Sequence, residues 1–299
     1  MDTRRLPIVQ VESLDDSILK IPEIIETFDT YGLLVLRGYR FEPKEQLKLV
    51  SILGNHYKWN ISTNRVGESP DEAKADDYLF QAGGSDNPDR PVGTASDYTL
   101  DWHIEQVFYV YPVLAGTWNM YEFTADPESG HTHFADSIEL YNMLSDSDKE
   151  FLSKSVVIWD KAIGPVSGYG PYLTKVVDIH PNLNVPQLRV ETDGGCIIRP
   201  TLHKYDGNDP TEEQTATYER IYTWLKEELR HNSSIRYVQK WKQDDMVLVD
   251  LFRMYHAVTD GFGYGSRKFR GAFLRPFEYD ATLYKSMDQI LYKSMDQLQ

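Results

Sequence analysis

A histidine and a glutamate stand two residues apart in the stretch 101–108, which reads Asp-Trp-His-Ile-Glu-Gln-Val-Phe. The stretch is rich in strand-forming residues, and side chains along a strand alternate between its two faces. We therefore expect His103 and Glu105 to point the same way. An imidazole and a carboxylate that converge in this manner are two of the three ligands of a 2-His-1-carboxylate facial triad, which holds non-haem Fe(II) and leaves coordination positions open. Taken alone, such a pair more often belongs to the polar face of an exposed strand.

The third ligand would be a histidine far along the chain that the fold brings close. His256 is the candidate, because it follows an apolar strand pattern in the stretch 253–258. By its position alone, His256 is more typical of a structural histidine. The order of features changes this interpretation, since the His-x-Glu pair is followed by many strands and a helix, then by this histidine, then by basic residues. We predict that His103, Glu105 and His256 are the metal ligands of a catalytic centre.

Four segments carry a further pattern. They read Tyr-Gly-Leu-Leu-Val-Leu-Arg-Gly at 31–38, Trp-His-Ile-Glu at 102–105, Gly-His-Thr-His-Phe-Ala-Asp at 130–136, and the run 241–256 that ends at the histidine. In this order they resemble the taurine dioxygenase-like branch of the Fe(II)- and 2-oxoglutarate-dependent dioxygenases, over roughly residues 20–278. The glutamate ligand is similar to that of the clavaminate synthase-like members. The resemblance implies that the cofactor is Fe(II) and that 2-oxoglutarate and O₂ are co-substrates.

The resemblance also implies how the co-substrate is held. 2-Oxoglutarate would chelate the metal through its keto acid, and its far carboxylate would meet an arginine, whose planar fork matches a carboxylate, and a threonine hydroxyl. Thr132 fits the threonine, with an ordinary strand threonine as the alternative. The family has two arginines four residues apart on one strand face, whereas Arg267 and Arg270 are three apart and would face opposite ways. We carry both as candidates for the anchor, and a substrate-binding arginine stays open.

Composition limits the possible partners. Twenty tyrosines and six tryptophans among 299 residues suit a strand-rich protein with a sizeable core. A net charge of −15 argues against nucleic acid, which is bound by clustered Lys and Arg, and favours a small-molecule substrate. No stretch approaches the roughly 20 apolar residues of a membrane span, and the polar N-terminus lacks a secretion signal. Together with a single cysteine, Cys196, these features predict a cytoplasmic protein. The oligomeric state stays open.

Many short strands with a few helices predict a mainly β fold with helical cover, an α+β double-stranded β-helix or jelly roll. The predicted helices begin at Pro22, Pro43, Asp136 and Asp209. We expect Gly32 and Gly54 to end the first two helices. The predicted strands are 33–36, 101–110, 115–123, 132–134, 156–160, 176–180, 187–190, 247–251 and 269–277.

One jelly-roll domain over residues 1–299 is predicted, with two accessory segments. Gly, Ser, Asn, Asp and Pro are frequent between His56 and Asp97, so we expect an active-site lid at about 62–94 that becomes ordered over substrate. A linker between domains is the alternative. The tail 280–299, which repeats Leu-Tyr-Lys-Ser-Met-Asp-Gln, is assigned no function. The candidate substrate-binding residues are Asn60, Asn64, Arg65, Asp97 and Tyr98.

These features predict an oxygenase that hydroxylates an unactivated C–H bond of a small polar substrate such as an amino acid. Desaturation and ring closure are variants that the sequence leaves open. Glu105 argues against the halogenase variant, in which a halide takes the place of the carboxylate. The main alternative is a non-catalytic jelly roll that binds a metal or another ligand. A metal-dependent isomerase of the cupin kind is a third possibility, but it would lack the threonine and arginine anchors.

Overall fold

The structure is a computed structural model that describes residues 3–62, 79–82, 98–107, 112–159, 172–190, 192, 200–259, 262 and 266–276. In chain order, its strands are β1 (Ile8–Gln10), β2 (Leu33–Arg37), β3 (Trp59–Ile61), β4 (Phe80–Ala82), β5 (Tyr98–His103), β6 (Ala115–Phe123), β7 (Thr132–Asp136), β8 (Ser155–Trp159), β9 (Tyr172–Lys175), β10 (Val177–Ile179), β11 (Pro186–Leu188), β12 (Thr201–Tyr205), β13 (Arg236–Gln239), β14 (Met246–Val249), β15 (Met254–Thr259) and β16 (Arg267–Pro276). The helices are α1 (Leu14–Leu19), α2 (Ile21–Tyr31), α3 (Pro43–Tyr57), α4 (Ser137–Met143), α5 (Asp146–Ser153) and α6 (Glu212–His231).

Two sheets face each other across a buried interior. The larger has the strand order β1-β2-β14-β6-β16-β3, with β4 also paired to β16, and the smaller has the order β13-β7-β15-β5. Side chains from both sheets meet in one apolar cluster, to which the larger contributes Trp118 and Val247 and the smaller Phe134 and Met254. Face-to-face packing of mainly antiparallel sheets is the architecture of a jelly roll. The predicted fold class is confirmed.

Helices cover the outer faces of both sheets. On the larger sheet, Ile24 of α2 and Leu49 of α3 pack against Leu248 and other sheet residues. On the smaller sheet, α4 and α6 pack against Trp102 and Ala257, next to the strands β8, β9 and β12. This cover leaves the interior between the sheets as the place where strand side chains of both sheets can converge. No helix in the described part of the chain is long and apolar enough to cross a membrane.

The helices α2 and α3 end for different reasons. Gly32 ends α2 with φ 70°, a left-handed conformation that glycine adopts without strain, as predicted. The prediction that Gly54 ends α3 is wrong, because α3 continues to Tyr57 and Lys58 takes the left-handed position with φ 60°. A Cβ on Gly54 would lie 2.7 Å from the Trp59 carbonyl oxygen. This glycine therefore permits the close approach of α3 to β3.

The helix α6 begins two residues later than the sequence suggested. Thr211, not Asp209, is the N-cap, since its hydroxyl accepts a hydrogen bond from the Gln214 amide at 3.2 Å and the Gln214 side chain accepts one from the Thr211 amide at 2.8 Å. The predicted apolar face is confirmed. Its buried residues are Tyr218, Ile221, Tyr222, Leu225 and Leu229.

A buried ion pair fixes the strands that carry the interior side chains. Arg253, just before β15, donates through Nε to Asp136 at the end of β7, at 3.0 Å. Its other guanidinium nitrogens donate to the carbonyl oxygens of Asp29 and Thr30 at the end of α2. Removal of one partner from a buried ion pair is strongly destabilising, because it leaves the other charge buried and unpaired. This link therefore holds β7, β15 and α2 in one arrangement.

Most of the predicted lid at about 62–94 and the whole tail 280–299 lie outside the described residues. Of the lid, the structure describes Ser62 and the segment 79–82, in which Leu79 is buried and β4 pairs with residues 269–271 of β16. The single domain, the lid and the tail stay predictions.

Candidate active site

The pairing of β5 with β15 brings the two predicted histidines together. These strands are antiparallel neighbours, and His103 lies directly opposite His256 in their register. The centroids of the two rings are 4.0 Å apart, with an angle of 55° between the ring planes. Residues in this cross-strand position have adjacent side chains on one face of the sheet. The two histidines, far apart in the sequence, are therefore side by side in the fold.

Glu105 reaches the same place from a turn. β5 ends at His103, and residues 105–107 form a turn in which Gln106 has φ 50°. A left-handed residue does not continue a strand, so the prediction of a strand over 101–110 is wrong for residues 104–107, and residues 108–110 lie outside the described part of the chain. The predicted convergence is nevertheless present, since Oε2 of Glu105 lies 3.9 Å from Nε2 of His256. The ligand atoms of His103, Glu105 and His256 all lie within 4.8 Å of one another, so they could hold a metal ion.

Hydrogen bonds at Nδ1 direct the Nε2 atoms of both histidines towards the shared site. Nδ1 of His103 lies 2.8 Å from the carbonyl oxygen of Asp101, and Nδ1 of His256 lies 3.5 Å from that of Met254. A histidine that donates its Nδ1–H to a carbonyl presents an unprotonated Nε2. The ring of His256 also packs on Trp118, with centroids 5.2 Å apart. Two neutral imidazoles and one carboxylate are the donor set that suits Fe(II).

Burial acts in opposite directions on the three groups. It lowers the pKa of His103 and, together with the neighbouring His103 ring, lowers the pKa of His256 well below its ordinary value, so both imidazoles are neutral. Burial raises the pKa of Glu105 to about 7, against the opposing effects of the Arg275 charge and a hydrogen bond with Gln106. A divalent cation between these groups would favour the charged form of the glutamate. The residues present therefore fit a divalent metal ion.

Arg267 is a buried cation at the other end of this interior. It is 2% exposed, and its Nε has no hydrogen-bond acceptor among the described residues. Burial lowers its pKa to about 10, and within the same part of the chain no carboxylate forms an ion pair with it. The guanidinium lies over the rings of Phe262 and Trp241, 4.7 and 5.9 Å from their centroids. Since a buried, unpaired charge is unfavourable, this arrangement fits an anion supplied by a ligand.

Two neighbours shape the space around this guanidinium. The Trp241 indole N–H donates to the Thr132 hydroxyl at 2.9 Å, and Thr132 is buried. A hydroxyl that accepts one hydrogen bond can still donate its own proton to a carboxylate. Gly130 has φ 60°, and a Cβ there would lie 3.0 Å from Cδ and 3.1 Å from Nη1 of Arg267. The glycine thus leaves room that any other residue would fill.

Arg270 faces the opposite side of the larger sheet. Its Nη2 donates to the carbonyl oxygen of Phe41 at 2.9 Å, and its guanidinium lies 4.9 Å from the Tyr121 ring centroid. Phe41 belongs to the cluster beneath α2 and α3. The alternation expected for two arginines three residues apart is therefore observed. Arg267 shares the interior with the histidines, and Arg270 does not.

The predicted substrate-binding residues are only partly described. Asn60 lies in β3 opposite Arg275 of β16, with an exposed side chain. The backbone of Tyr98 lies in β5 opposite Thr259. Asn64, Arg65 and Asp97 lie outside the described residues. All five stay predictions.

Several residues of the site were missed by sequence reasoning. They are Gln106, Trp118, Trp241 and Arg275. Arg275 donates through Nε to the Ser62 hydroxyl at 3.1 Å and through Nη2 to the Gln106 side-chain oxygen. Counting every second residue along β16 from Arg267 reaches Arg275, so strand periodicity could have identified it. Nothing local in the sequence marks the two tryptophans, which are positioned by contacts between strands far apart in the chain.

Comparison with known proteins agrees with this geometry. A family model described as taurine catabolism dioxygenase TauD, TfdA family matches residues 2–273. No curated protein matches the sequence.

Solved structures share the fold over most of the chain. A taurine dioxygenase from Burkholderia xenovorans has a TM-score of 0.62 and 13% identity, covering 92% of this chain and 89% of that one. AAD-2 in complex with Mn(II) and N-oxalylglycine has a TM-score of 0.57 and 18% identity, covering 92% and 97%. PvcB from Pseudomonas aeruginosa has a TM-score of 0.59 and 14% identity, covering 91% and 89%. At these identities, the likeness shows the shared fold alone.

Proposed function

The chain belongs to the taurine catabolism dioxygenase TauD, TfdA family, and from this membership we propose that it hydroxylates an unactivated C–H bond of a small polar substrate such as an amino acid. It is a non-haem iron dioxygenase, with Fe(II) as cofactor and 2-oxoglutarate and O₂ as co-substrates. The observation that carries the proposal is the convergence of His103, Glu105 and His256, whose ligand atoms lie within 4.8 Å of one another.

In this proposal, the two histidine Nε2 atoms and the Glu105 carboxylate hold the iron. Together with 2-oxoglutarate and O₂, a bound iron would supply the oxidising chemistry that breaks a C–H bond, with succinate and CO₂ as co-products. The chain itself orients the ligands and excludes water. Nδ1 of each histidine is directed to a backbone carbonyl, and Trp118 and Phe134 lie 5.2 and 6.3 Å from the His256 ring. A dry surrounding strengthens the electrostatic interactions of the site and limits side reactions.

We assign the far carboxylate of 2-oxoglutarate to Arg267 and Thr132. The support is a guanidinium that is 2% exposed, with no acid partner among the described residues, beside a buried hydroxyl that shares Trp241 with it. Arg267 is preferred to Arg270, because Arg270 donates to the Phe41 carbonyl on the other side of the sheet. An arginine matches a carboxylate with parallel hydrogen bonds.

The proposal that the substrate is an amino acid depends on a glycine at the position of the family's second arginine. The family's second arginine stands four residues after the first, and here that position is Gly271. A sulfonate would therefore lack this cationic partner. The net charge of −15 also disfavours a strongly anionic substrate. Both observations favour a free or carrier-linked amino acid over a sulfonate.

The test of this function combines a spectrum with a product assay. We expect the anaerobic protein with Fe(II) and 2-oxoglutarate to show the weak visible charge-transfer band of a bidentate keto acid. Admission of O₂ with a panel of amino acids, sulfonates and small natural products should give succinate in stoichiometric amounts for the true substrate. Mass spectrometry of the product distinguishes a gain of one oxygen from a loss of two hydrogens. A protein that shows no band and forms no succinate would instead be a binding protein.

A first prediction concerns the space beside Arg267. Gly130→Ala should raise the KM for 2-oxoglutarate about five- to tenfold, because the added Cβ would lie 2.8 Å from Cδ1 of Phe262 and 3.0 Å from Cδ of Arg267, and overpacking typically costs about 1–3 kcal/mol. The matched control is Gly207→Ala, which has φ 82° but nothing within 4 Å of the added Cβ. It should lose about 1 kcal/mol of stability through backbone strain and keep its KM. Equal KM values in both variants would contradict the pocket.

A further inference from the structure

We propose that Arg275 is a positioning residue for the glutamate ligand, acting through the side chain of Gln106. The inference rests on the proposed function, since it concerns the carboxylate that would hold the iron. It adds to that function a link between the turn at residues 105–107 and the C-terminal end of β16, the strand that also carries Arg267.

The placement of Arg275 follows from the periodicity of β16. Phe269 and Phe273 pack against the cluster between the two sheets, and alternate residues of a strand share a face. Arg275, two residues beyond Phe273, therefore continues the interior face. It lies in register with Asn60 of β3, at the edge of the larger sheet. One strand thus carries a buried arginine at its start and a half-buried arginine beside the glutamate at its end.

A relay of contacts runs from Arg275 through Gln106 to the turn that carries Glu105. Arg275 donates through Nη2 to the Gln106 side-chain oxygen and through Nε to the Ser62 hydroxyl. Gln106 directly follows Glu105 within the turn 105–107, so a hold on the Gln106 side chain limits the positions that this turn can take. A side-chain amide has one oxygen that accepts and one nitrogen that donates, so the oxygen of Gln106 is the atom that faces Arg275. Reversal of the amide would place two donors against each other at Arg275.

The backbone explains why such a link is required. Gln106 has φ 50°, a strained conformation that a non-glycine residue keeps only where its surroundings impose it. Glu105 immediately precedes this residue and lies outside the strand that fixes His103. The hydrogen bonds of the ladder therefore do not determine where the carboxylate points. The fork of Arg275, anchored at Ser62, supplies the constraint that the sheet does not.

The experiment measures metal affinity directly, with Mn(II) alone as the probe and its free-ion EPR signal as the readout. Arg275→Met and Gln106→Gly should each weaken Mn(II) binding about 10- to 100-fold, as expected when a residue that orients a metal ligand is lost. Gln106→Gly keeps the left-handed backbone accessible, so its loss reports on the side chain. Because the two residues act in one relay, the double variant should bind no more weakly than either single variant. Arg275→Lys, which keeps the charge but not the fork, should lie between wild type and Arg275→Met.

Lys268→Met is the matched control, since it removes a positive charge from the same strand where Lys268 pairs with Glu122 at 3.3 Å. Its Mn(II) affinity should stay within about twofold of wild type. Additive losses in the double variant would overturn the relay, as would an Arg275→Met variant that binds Mn(II) normally while its substrate KM rises. His256→Ala separates this failure from that of the proposed function. If His256→Ala binds Mn(II) as wild type does, the metal centre itself is wrongly placed.

Discussion

His103→Ala, Glu105→Ala and His256→Ala will each reduce Fe(II)-dependent succinate formation to background while the fold survives. Each removes one of three ligands, and the two that remain cannot hold the metal in a facial arrangement. The fold should tolerate these changes because the apolar cluster between the sheets includes none of the three residues. Removing Glu105 also removes a carboxylate whose charged form is disfavoured by burial. We expect the circular dichroism spectrum to stay nearly unchanged and Mn(II) binding to be lost.

His231→Ala is the control for this series, since His231 lies exposed at the end of α6 beside Glu227 and far from the β5–β15 pairing in the chain. It should keep full turnover and metal binding. A Glu105→Ala variant that retains most of its activity would show that the assignment of the triad is wrong. If Glu105→Ala loses both its activity and its folded spectrum, the conservative variant Glu105→Gln takes its place in the test. Normal Mn(II) binding by Glu105→Gln would contradict the assignment.

The convergence of His103, Glu105 and His256 could be predicted from the sequence, although part of the local reasoning was wrong. Period-two spacing suggested that His103 and Glu105 share a strand face, whereas the glutamate stands in a turn that Gln106 bends out of the sheet. The glutamate lies near His103 in both the predicted and the observed arrangement, because a turn directly after a strand keeps its residues close to the strand end. His256 could be chosen only from the order of features, since the pairing that places it opposite His103 joins strands distant in the chain.

Glycine and arginine positions show where local patterns reach their limit. Gly54 resembles a helix stop, but its role is to let the Trp59 backbone approach α3, a contact that no local pattern reveals. Alternation along β16 correctly placed Arg267 and Arg270 on opposite faces. Which face is the interior depends on the pairing of β16 with β6 and on the cluster that Phe269 joins. Tertiary packing, not propensity, decides both cases.

Arg267→Met will raise the KM for 2-oxoglutarate by roughly two to four orders of magnitude, because leaving a buried carboxylate unpaired costs about 3–5 kcal/mol. Methionine fills a similar volume without charge, so the effect reports on the lost ion pair and not on a cavity. The comparison is Arg270→Met on the same strand, which should change this KM by less than about fivefold, since Arg270 is half-buried and donates to a backbone carbonyl. The KM for substrate and the stability of both variants are measured in parallel.

Thr132→Val provides the graded test of the same site. The hydroxyl would contribute one hydrogen bond to the co-substrate, so its loss should cost about 1–3 kcal/mol, well below the effect of Arg267→Met. The variant also leaves the buried Trp241 N–H without its acceptor, and Trp241→Phe together with Thr132→Val separates the two effects. If the KM recovers towards wild type in the double variant, the loss came from the orphaned indole. If it stays high, the hydroxyl binds the carboxylate. Equal and small effects from both arginines would mean that neither anchors 2-oxoglutarate, and the buried charge of Arg267 would then need another anionic ligand to explain it.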